Sequence, residues 1–416
     1  MKKILLSFLA FCTLHFAQAQ QTQNVTFSHA GKTIYGTFTM PNGNGPFATI
    51  IINPGSGAND RDGTMIMSGA TVSCLYPNLL NTTLRIYKDL SDSLVAAGYA
   101  VLRYDKIEYT YPTAQTLGPI TFKKLWLPVE SAIDYVKTRP EVDAKNIILI
   151  GHSEGSSLIP YIAKKRRDVK ALISIAGART PFDSLLARQL VHFTQLCNGN
   201  VAAAQAQAND VLTYFSIIRS KTWNASTPAF GGVQPAVWSE YIQVTDSVAL
   251  NYNEANVPTL FTGLQLDLNV PISELSRFQK ETYPGPDFYQ IPNTIHYMTP
   301  NNVPKISEVL TDTIIYWLGK RLMNGVKNDM LEETLVKVYP NPFTDNVTVT
   351  LDAKPVKNLN ISVQNLLGQT LQEEKFKNVN ASFRKTILLQ NLPAGIYLLH
   401  LQADGKLMTR KIVKEK

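Results

Sequence analysis

The chain has 416 residues, more than one average domain, and 44% of them are hydrophobic, a content typical of globular proteins rather than of disordered or fibrous ones. We therefore expect two folded domains. The formal net charge is +8, but Lys and Arg are spread thinly along the chain. The short basic run at residues 164–167 is interpreted as a solvated face, so nucleic-acid binding is not expected.

The N-terminus has the residue order of a signal peptide. Lys2 and Lys3 precede an apolar stretch at residues 4–16, and Ala17-Gln18-Ala19 follows with small residues. We predict that residues 1–19 are removed by cleavage after Ala19. The apolar stretch is shorter than the ~20 residues that a membrane-spanning helix needs, and no later segment is long and apolar enough, so no transmembrane segment is expected in the mature protein.

Residues 20–320 alternate buried strand candidates with amphipathic helix candidates, a pattern that predicts an α/β domain with a mostly parallel sheet. The strand candidates are residues 48–53, 99–103, 147–150, 171–175, 259–262 and 288–291. The apolar stripes of the helix candidates are Ile86, Leu90 and Leu94; Val129, Ala132, Ile133 and Val136; and Ile306, Val309, Leu310, Ile314 and Trp317.

An insertion at residues 181–252 interrupts this alternation, and its Ala/Gln-rich part is expected to be helical. An insertion between consecutive strands of such a sheet behaves as a lid. Its aromatic residues are Phe182, Phe193, Tyr214, Phe215, Trp223, Phe230, Trp238 and Tyr241. For most of them the better interpretation is that they pack the insertion's own core rather than contact a ligand.

The composition changes to that of a polar linker at residues 321–334, and residues 335–416 have an all-β pattern. Apolar residues alternate with polar ones there at period two: Val347, Val349 and Leu351, then Leu359, Ile361 and Val363. This period indicates strands with one buried face and predicts a small immunoglobulin-like β-sandwich.

Cysteine is scarce in the chain. Cys12 leaves with the predicted signal peptide, and only Cys74 and Cys197 remain. They suffice for one disulfide, and the sequence leaves open whether they pair. Neither lies beside a histidine or in a recognisable motif, so a catalytic cysteine is not expected.

The segment Gly151-His152-Ser153-Glu154-Gly155 carries the strongest chemical signal. It lies between the strand candidate 147–150 and a helix candidate at residues 156–164, which is the context of a nucleophile elbow. Glycines two residues on either side allow the tight turn that lifts the serine hydroxyl above the sheet. We predict that Ser153 is a nucleophile; the alternative is a glycine-rich turn with an incidental serine.

A serine nucleophile requires a base and an acid, which follow it in the chain order Ser, acid, His. The histidines after Ser153 are His192, His296 and His400. The first lies in the insertion and the last in the β-sandwich, so we predict His296 as the base. Asp267, in the turn after the strand 259–262, is the predicted acid. The rivals are Asp287, at the start of the next strand, and Glu254, ahead of its strand.

Two backbone amides are predicted to form an oxyanion hole, those of Glu154 and Ser56, with Gly57 as the close alternative to Ser56. The alternative role for the glycines near Ser56 is a tight turn. Asn59, Asp60 and Asp62 are only faintly similar to a calcium loop, because no Glu follows at ligand spacing. No metal and no cofactor are assigned.

Several segments within residues 20–319 resemble the α/β-hydrolase superfamily, and within it the bacterial esterase and serine aminopeptidase-like group. They are residues 55–63, 101–106, 151–155 and 263–267, with Val270. The chain departs from that group at Ile107-Glu108-Tyr109, where Arg-Gly is usual. The resemblance implies an α/β-hydrolase fold with a helical lid.

Residues 335–416 resemble a type A sorting domain of the type IX secretion system, which moves cargo across the outer membrane of some Gram-negative bacteria. The matching segments are residues 338–343, 366–369, 392–397 and 405–416. The resemblance implies export through the periplasm, contact with the type IX secretion machinery, and a mature protein that is secreted or held on the outer cell surface.

These patterns together predict a secreted serine hydrolase that cleaves a small-molecule carboxylic ester through an acyl-enzyme intermediate. One alternative is a serine aminopeptidase-like peptidase, for which Glu154 could hold the substrate ammonium if its side chain faced the pocket. Another is a non-catalytic surface protein on a hydrolase scaffold. All positions of the triad are filled, which favours catalysis.

Overall fold

The computed structural model describes residues 20–282, 285–322, 336–352, 355–364, 370–403 and 406–415. The chain divides into two compact units, Met1–Arg321 and Leu322–Lys416. The predicted signal peptide at residues 1–19 and residues 323–334 of the predicted linker lie outside the described residues.

The first unit contains a short antiparallel ribbon and one large sheet. Its strands are β1 (Gln21–His29), β2 (Lys32–Met40), β3 (Phe47–Asn53), β4 (Thr64–Ile66), β5 (Thr83–Arg85), β6 (Ala100–Tyr104), β7 (Val142–His152), β8 (Ala171–Ile175), β9 (Thr259–Leu264) and β10 (Asp287–Ile291). The large sheet is eight-stranded with the order β1-β2-β6-β3-β7-β8-β9-β10, and β4 pairs with β5 in the ribbon.

The strands from β6 to β10 in the large sheet are all parallel, whereas β1 and β2 are antiparallel to their neighbours. β6 and β8 are buried at every position, because helices cover both faces of a parallel sheet. Such strands appear in the sequence as continuous apolar runs. The predicted fold class, an α/β domain with a mostly parallel sheet, is confirmed.

The helices of this unit are α1 (Ala70–Leu75), α2 (Ile86–Ala96), α3 (Ile107–Thr110), α4 (Ala114–Leu117), α5 (Phe122–Trp126), α6 (Pro128–Lys137), α7 (Glu154–Arg166), α8 (Phe182–Leu196), α9 (Val201–Ser220), α10 (Pro235–Thr245), α11 (Val248–Ala255), α12 (Ser273–Glu281) and α13 (Glu308–Leu322), with a 3₁₀ turn at Pro77–Leu79. The predicted stripes of α2 and α6 are fully buried. The stripe of α13 was wrong at two positions. Ile306 precedes the helix, and Val309 is 45% exposed because it points about 100° away from the buried Leu310.

The insertion comprises α8 to α11 and lies between β8 and β9. Most of its aromatic rings contact one another, as when Phe215 meets Trp238 at 5.2 Å and Phe230 at 5.4 Å between ring centroids. Tyr241 also reaches Trp126 of α5, at 4.5 Å. The insertion therefore has an aromatic core of its own that is seated on the α/β body.

A disulfide joins Cys74 at the end of α1 to Cys197, the residue that follows α8. The two Cα atoms are 5.7 Å apart, and the residues are 123 positions apart in sequence. The bond ties the insertion to the segment between β3 and α2, so it restrains α8 at its C-terminal end.

The second unit is all-β, as predicted. Its strands are β11 (Val336–Tyr339), β12 (Asn346–Asp352), β13 (Val356–Gln364), β14 (Thr370–Val379), β15 (Ser382–Leu388), β16 (Gly395–Ala403) and β17 (Lys406–Lys414). They form a three-stranded sheet β11-β12-β15 and a four-stranded sheet β14-β13-β16-β17, in which all neighbours are antiparallel.

The alternating apolar residues of the second unit form one shared core. Val347 and Val349 of β12 and Ile361 and Val363 of β13 are all buried in it.

Residues 366–369, one of the segments that carry the sorting-domain resemblance, lie outside the described residues, as does Gly405. Within the described part of the chain, no helix has both the length and the apolar character needed to cross a membrane.

Candidate active site

Ser153 is the single residue between strand β7 and helix α7. β7 ends at His152 and α7 begins at Glu154, and the serine between them has φ 52° and ψ −119°. This combination of angles is strained for a residue other than glycine and lies outside the left-handed helical region, and such strained residues cluster at functional sites. A Cβ at Gly155 would lie 2.3 Å from the Asn53 carbonyl oxygen, and one at Gly151 would lie 2.6 Å from Gly155. Only glycine fits at both positions, so the sequence dictates this turn.

His296 and Asp267 are hydrogen-bonded to each other. His296 Nδ1 lies 2.7 Å from Asp267 Oδ2. Asp267 follows β9 and His296 follows β10, so adjacent parallel strands deliver the pair to the same edge of the sheet. Asp267 Oδ1 accepts the N–H groups of Asn269 and Val270, both at 2.8 Å, and the side chain is 0% exposed. The carboxylate is thus locked in place and orients the imidazole.

A chain of hydrogen bonds links the loops after β3, β7 and β10. The Gly55 N–H donates to the Tyr87 hydroxyl at 2.8 Å, and that hydroxyl lies 3.0 Å from His152 Nδ1. His152 Nε2 lies 2.9 Å from the carbonyl oxygen of His296, which can only accept, so Nε2 carries the hydrogen and Nδ1 accepts from Tyr87. Burial, with a smaller effect of nearby His296, lowers the pKa of His152 to about 3.

This chain brings the segments that carry the predicted residues close to one another. His152, the neighbour of Ser153, packs on His296 with 4.9 Å between ring centroids. Gly55, the neighbour of Ser56, is so close to the elbow that a Cβ there would lie 3.3 Å from Ser153 Cβ. Ser56, Ser153 and Glu154 line one cavity of about 230 Å³.

The walls of this cavity combine apolar side chains with the hydroxyl residues Ser157, Thr180 and Thr245. The insertion contributes Phe182, Leu185, Leu186 and Tyr241, and the loop after β9 contributes Val270. Gln189 also lines it, but its amide donates to the Asn269 carbonyl at 2.9 Å. A ligand in the cavity would therefore meet apolar side chains beside the serine.

Glu154 lines the cavity and is already paired on both oxygens. Oε1 accepts from Trp126 Nε1 at 3.0 Å and from the Tyr241 hydroxyl at 3.2 Å, and Oε2 accepts from Lys106 Nζ at 3.2 Å. Burial alone would lower the pKa of Lys106, but the carboxylates of Glu154 and Glu108 outweigh it and raise that pKa above its usual value. Both oxygens of Glu154 therefore already accept hydrogen bonds, and the Lys106 ammonium is shared with Glu108 at 3.0 Å.

The rival acids have other partners. Asp287 lies at the start of β10, where its Oδ2 accepts from Trp317 Nε1 at 2.7 Å and from Arg321 at 2.6 Å. Glu254 forms an ion pair with Lys164 near the surface. Of the other two histidine candidates, His192 lines a separate hollow between α8 and α9, and His400 lies on β16 of the second unit.

The segment compared with a calcium loop is held by protein groups. Asp62 pairs with Arg103, and Asp60 Oδ1 accepts the Thr64 N–H at 2.7 Å. Over the described residues, no group of three or more His, Cys, Asp or Glu side chains gathers as metal ligands would.

Sequence reasoning missed Lys106, Asn59 and Tyr87 as parts of the site. Lys106 follows β6, so its position after a buried parallel strand was a usable signal. Tyr87 and Asn59 gave no such signal, because their contacts at the elbow and the loop after β3 depend on the tertiary fold.

Two family models match parts of the chain. Residues 337–415 match the family described as "Secretion system C-terminal sorting domain", and residues 129–236, which include the elbow, match "BAAT / Acyl-CoA thioester hydrolase C terminal". Among curated proteins, "Esterase EstD" of Thermotoga maritima is 30% identical over 162 residues. That match covers 39% of this chain and only 34% of the relative's length.

Solved structures with a similar chain path include two esterases. "Est1E from Butyrivibrio proteoclasticus" has a TM-score of 0.45 and 17% identity, and the match covers 72% of this chain and 98% of that one. The esterase domain from a Rhodothermus marinus protein has a TM-score of 0.44 and 16% identity, with the same coverage of 72% and 98%.

Proposed function

We propose that this chain, in which an α/β-hydrolase unit is joined to a secretion-system sorting domain, is an exported serine hydrolase that cleaves carboxylic esters. The observation that carries the proposal is the buried Asp267–His296 pair at the sheet edge where Ser153 stands on a strained turn. A serine, a base and an orienting acid are the groups that acyl transfer requires.

The proposed reaction proceeds through an acyl-enzyme. Ser153 Oγ attacks the ester carbonyl carbon while His296 Nε2 takes the hydroxyl proton, and Asp267 stabilises the resulting imidazolium. The N–H groups of Ser56 and Glu154 stabilise the oxyanion. The carbonyl re-forms as the alcohol leaves with the proton from His296, and a water activated by the same histidine then releases the acid and restores Ser153.

The cavity supports a neutral substrate of small or medium size. An apolar cavity of about 150 Å³ holds benzene, so about 230 Å³ beside Ser153 suits a somewhat larger acyl or aryl group. An aminopeptidase would need an unpaired carboxylate to hold the substrate ammonium. Glu154 is the carboxylate nearest Ser153 in sequence, and both of its oxygens already accept hydrogen bonds, from Lys106, Trp126 and Tyr241. This pairing favours esters over aminoacyl amides.

Thioesters are a second candidate substrate class. The match of residues 129–236 to an acyl-CoA thioester hydrolase family supports it. The same nucleophile, base and oxyanion donors would serve, because an ester and a thioester pass through similar tetrahedral intermediates.

The sorting domain supports export in two steps. Residues 1–19 would direct the chain into the periplasm, and residues 335–416 would then engage the type IX secretion machinery at the outer membrane. The mature enzyme would act outside the cell or on its surface.

The test combines labelling with kinetics on the purified protein. We expect a fluorophosphonate probe to label the wild type and not Ser153→Ala, and kcat/KM for p-nitrophenyl butyrate to exceed that for alanine and proline p-nitroanilides after correction for ester reactivity. Glu154→Gln is the matched variant for the peptidase alternative. A corrected preference for anilides that falls in Glu154→Gln would replace the esterase proposal, and labelling that persists in Ser153→Ala would contradict the nucleophile.

A further inference from the structure

The carbonyl groups of the loop after β3 all turn toward donors on one side. Asn59 Nδ2 lies 3.1 Å from the Gly55 oxygen, 2.9 Å from the Ser56 oxygen and 3.1 Å from the Gly57 oxygen. Lys106 Nζ adds a second hydrogen bond to the Gly55 oxygen at 3.2 Å. One amide and one ammonium therefore gather three consecutive carbonyls.

This arrangement determines where the N–H groups of the loop point. In a trans peptide the C=O and the following N–H point in opposite directions. The Gly55 carbonyl shares its peptide group with the Ser56 N–H, so that N–H faces away from Asn59 and Lys106. The N–H of Gly55 is already bound to Tyr87, and within the described part of the chain no acceptor is bound by the N–H of Ser56. Ser56 also lines the cavity with Ser153.

Lys106 joins both halves of the proposed oxyanion hole. Its ammonium contacts the Gly55 carbonyl and the Glu154 carboxylate, and Glu154 supplies the other proposed amide donor. That amide is the first of α7, where N–H groups have no acceptor within the helix. Lys106 is only 6% exposed. A buried cation on a carbonyl oxygen polarises that peptide, which makes its N–H a stronger donor.

The loop is anchored independently of these two residues. The Arg61 side chain binds both carboxylate oxygens of Asp105, at 3.0 Å and 2.6 Å, and its backbone N–H adds a third bond at 2.7 Å. Removing the Asn59 amide would therefore free the carbonyls of residues 55–57 without detaching the loop from β6.

We propose that Asn59 and Lys106 are positioning residues that orient and polarise the Gly55–Ser56 peptide so that the Ser56 N–H meets the oxyanion. This proposal rests on the esterase function proposed above. It predicts that both side chains act on the transition state rather than on substrate binding, because the oxyanion exists only after the serine attacks.

The test measures Asn59→Ala and Lys106→Met with an ester and with its thiono analogue, in which sulfur replaces the carbonyl oxygen. Sulfur is a weak hydrogen-bond acceptor, so the thionoester draws little on the oxyanion hole. We expect kcat for the ester to fall about 10- to 100-fold, somewhat less than the loss of a donor itself, with KM changed less than about threefold. The ester-to-thionoester ratio of kcat/KM should fall in the same proportion.

Glu108→Gln is the matched control. Glu108 pairs with Lys106 at 3.0 Å and has no bond to the Gly55 carbonyl, so this variant removes a charge from the same cluster and should leave the ratio unchanged. Lys106→Arg should restore part of the ratio lost in Lys106→Met. Asn59 is only partly buried, so Asn59→Ala keeps the test valid if Lys106→Met does not fold.

Two results separate this proposal from the esterase proposal. A wild type that is inactive on esters contradicts the function itself. A wild type that is active, with Asn59→Ala and Lys106→Met either fully active or equally slowed on ester and thionoester, overturns the positioning role alone.

Discussion

Asn in place of Asp267 is the substitution that most directly examines the triad. It keeps the size of the side chain and removes its charge. Asp287→Asn is the matched control, because it makes the same chemical change at the rival acid on the neighbouring strand. The two variants should differ by orders of magnitude in activity.

The expected loss follows from the hydrogen bonds of Asp267. Its Oδ1 accepts the N–H groups of Asn269 and Val270, and its Oδ2 accepts from His296 Nδ1. An Asn amide can keep the first two only with its oxygen, which turns its NH₂ toward Nδ1. The imidazole must then accept there and carry its hydrogen on Nε2, the atom that should take the serine proton. We expect kcat to fall about 10³- to 10⁴-fold, or about 4 to 5.5 kcal/mol.

Asp287 lies in a different setting. Its ion pair with Arg321 joins side chains that are 31% and 37% exposed. A pair so accessible to solvent contributes about 0–1 kcal/mol to stability. The carboxylate is bound to α13 and not to His296, so kcat/KM for Asp287→Asn should stay within about twofold of wild type.

The assay is p-nitrophenyl butyrate hydrolysis at several substrate concentrations, with circular dichroism and urea unfolding to establish that each variant is folded. A second measurement follows the pH dependence of any residual activity in Asp267→Asn. If Asp287→Asn is the more damaging change in a folded protein, the acid has been assigned wrongly. A folded Asp267→Asn with wild-type kcat would refute the whole orientation argument.

Three further predictions concern stability and export. Burial lowers the pKa of His152 from 6.5 to about 3 in the folded state, so this one group should lower the free energy of unfolding by about 1.4 kcal/mol for each pH unit between these values as the pH drops. In urea unfolding from pH 7 to 4, His152→Gln should therefore reduce the dependence of stability on pH. Replacing Cys74 and Cys197 by Ala removes a disulfide between residues 123 positions apart, and the chain-entropy model predicts that this lowers the free energy of unfolding by about 5 kcal/mol. An unchanged urea midpoint would argue against a stabilising bond. Deleting residues 335–416 should leave esterase activity in the purified protein but prevent its appearance outside a host with the secretion system, and continued export would contradict the sorting role.

The sequence alone was enough to predict those features of the protein that depend on local chemistry. Strands β6 and β8 were recognisable because a strand buried on both faces needs a continuous apolar run. The elbow was recognisable because close backbone contacts exclude any side chain at Gly151 and Gly155. The period-two pattern around Val347 predicted the all-β unit, because successive side chains of a strand point to opposite faces and only one face is buried.

The sequence also ranked the acids, by the rule that functional residues gather at the carboxyl ends of parallel strands. The sequence could not show which of these carboxylates contacts His296. That Asp267 reaches His296, and that Asp287 is held by Arg321 instead, depends on the register of β9 with β10 and on the packing of α13.

Other features were decided by the tertiary structure alone. Glu154 is paired with Lys106 from 48 positions earlier, and Cys74 pairs with Cys197 across 123 positions. Asn59 is three residues from Ser56, yet its hold on the loop carbonyls depends on the turn that the Arg61–Asp105 pair anchors. Periodicity and motif spacing report which face of an element is buried. They carry no information about which side chain from a distant element meets a given charge, because that is determined when the sheet and its loops assemble.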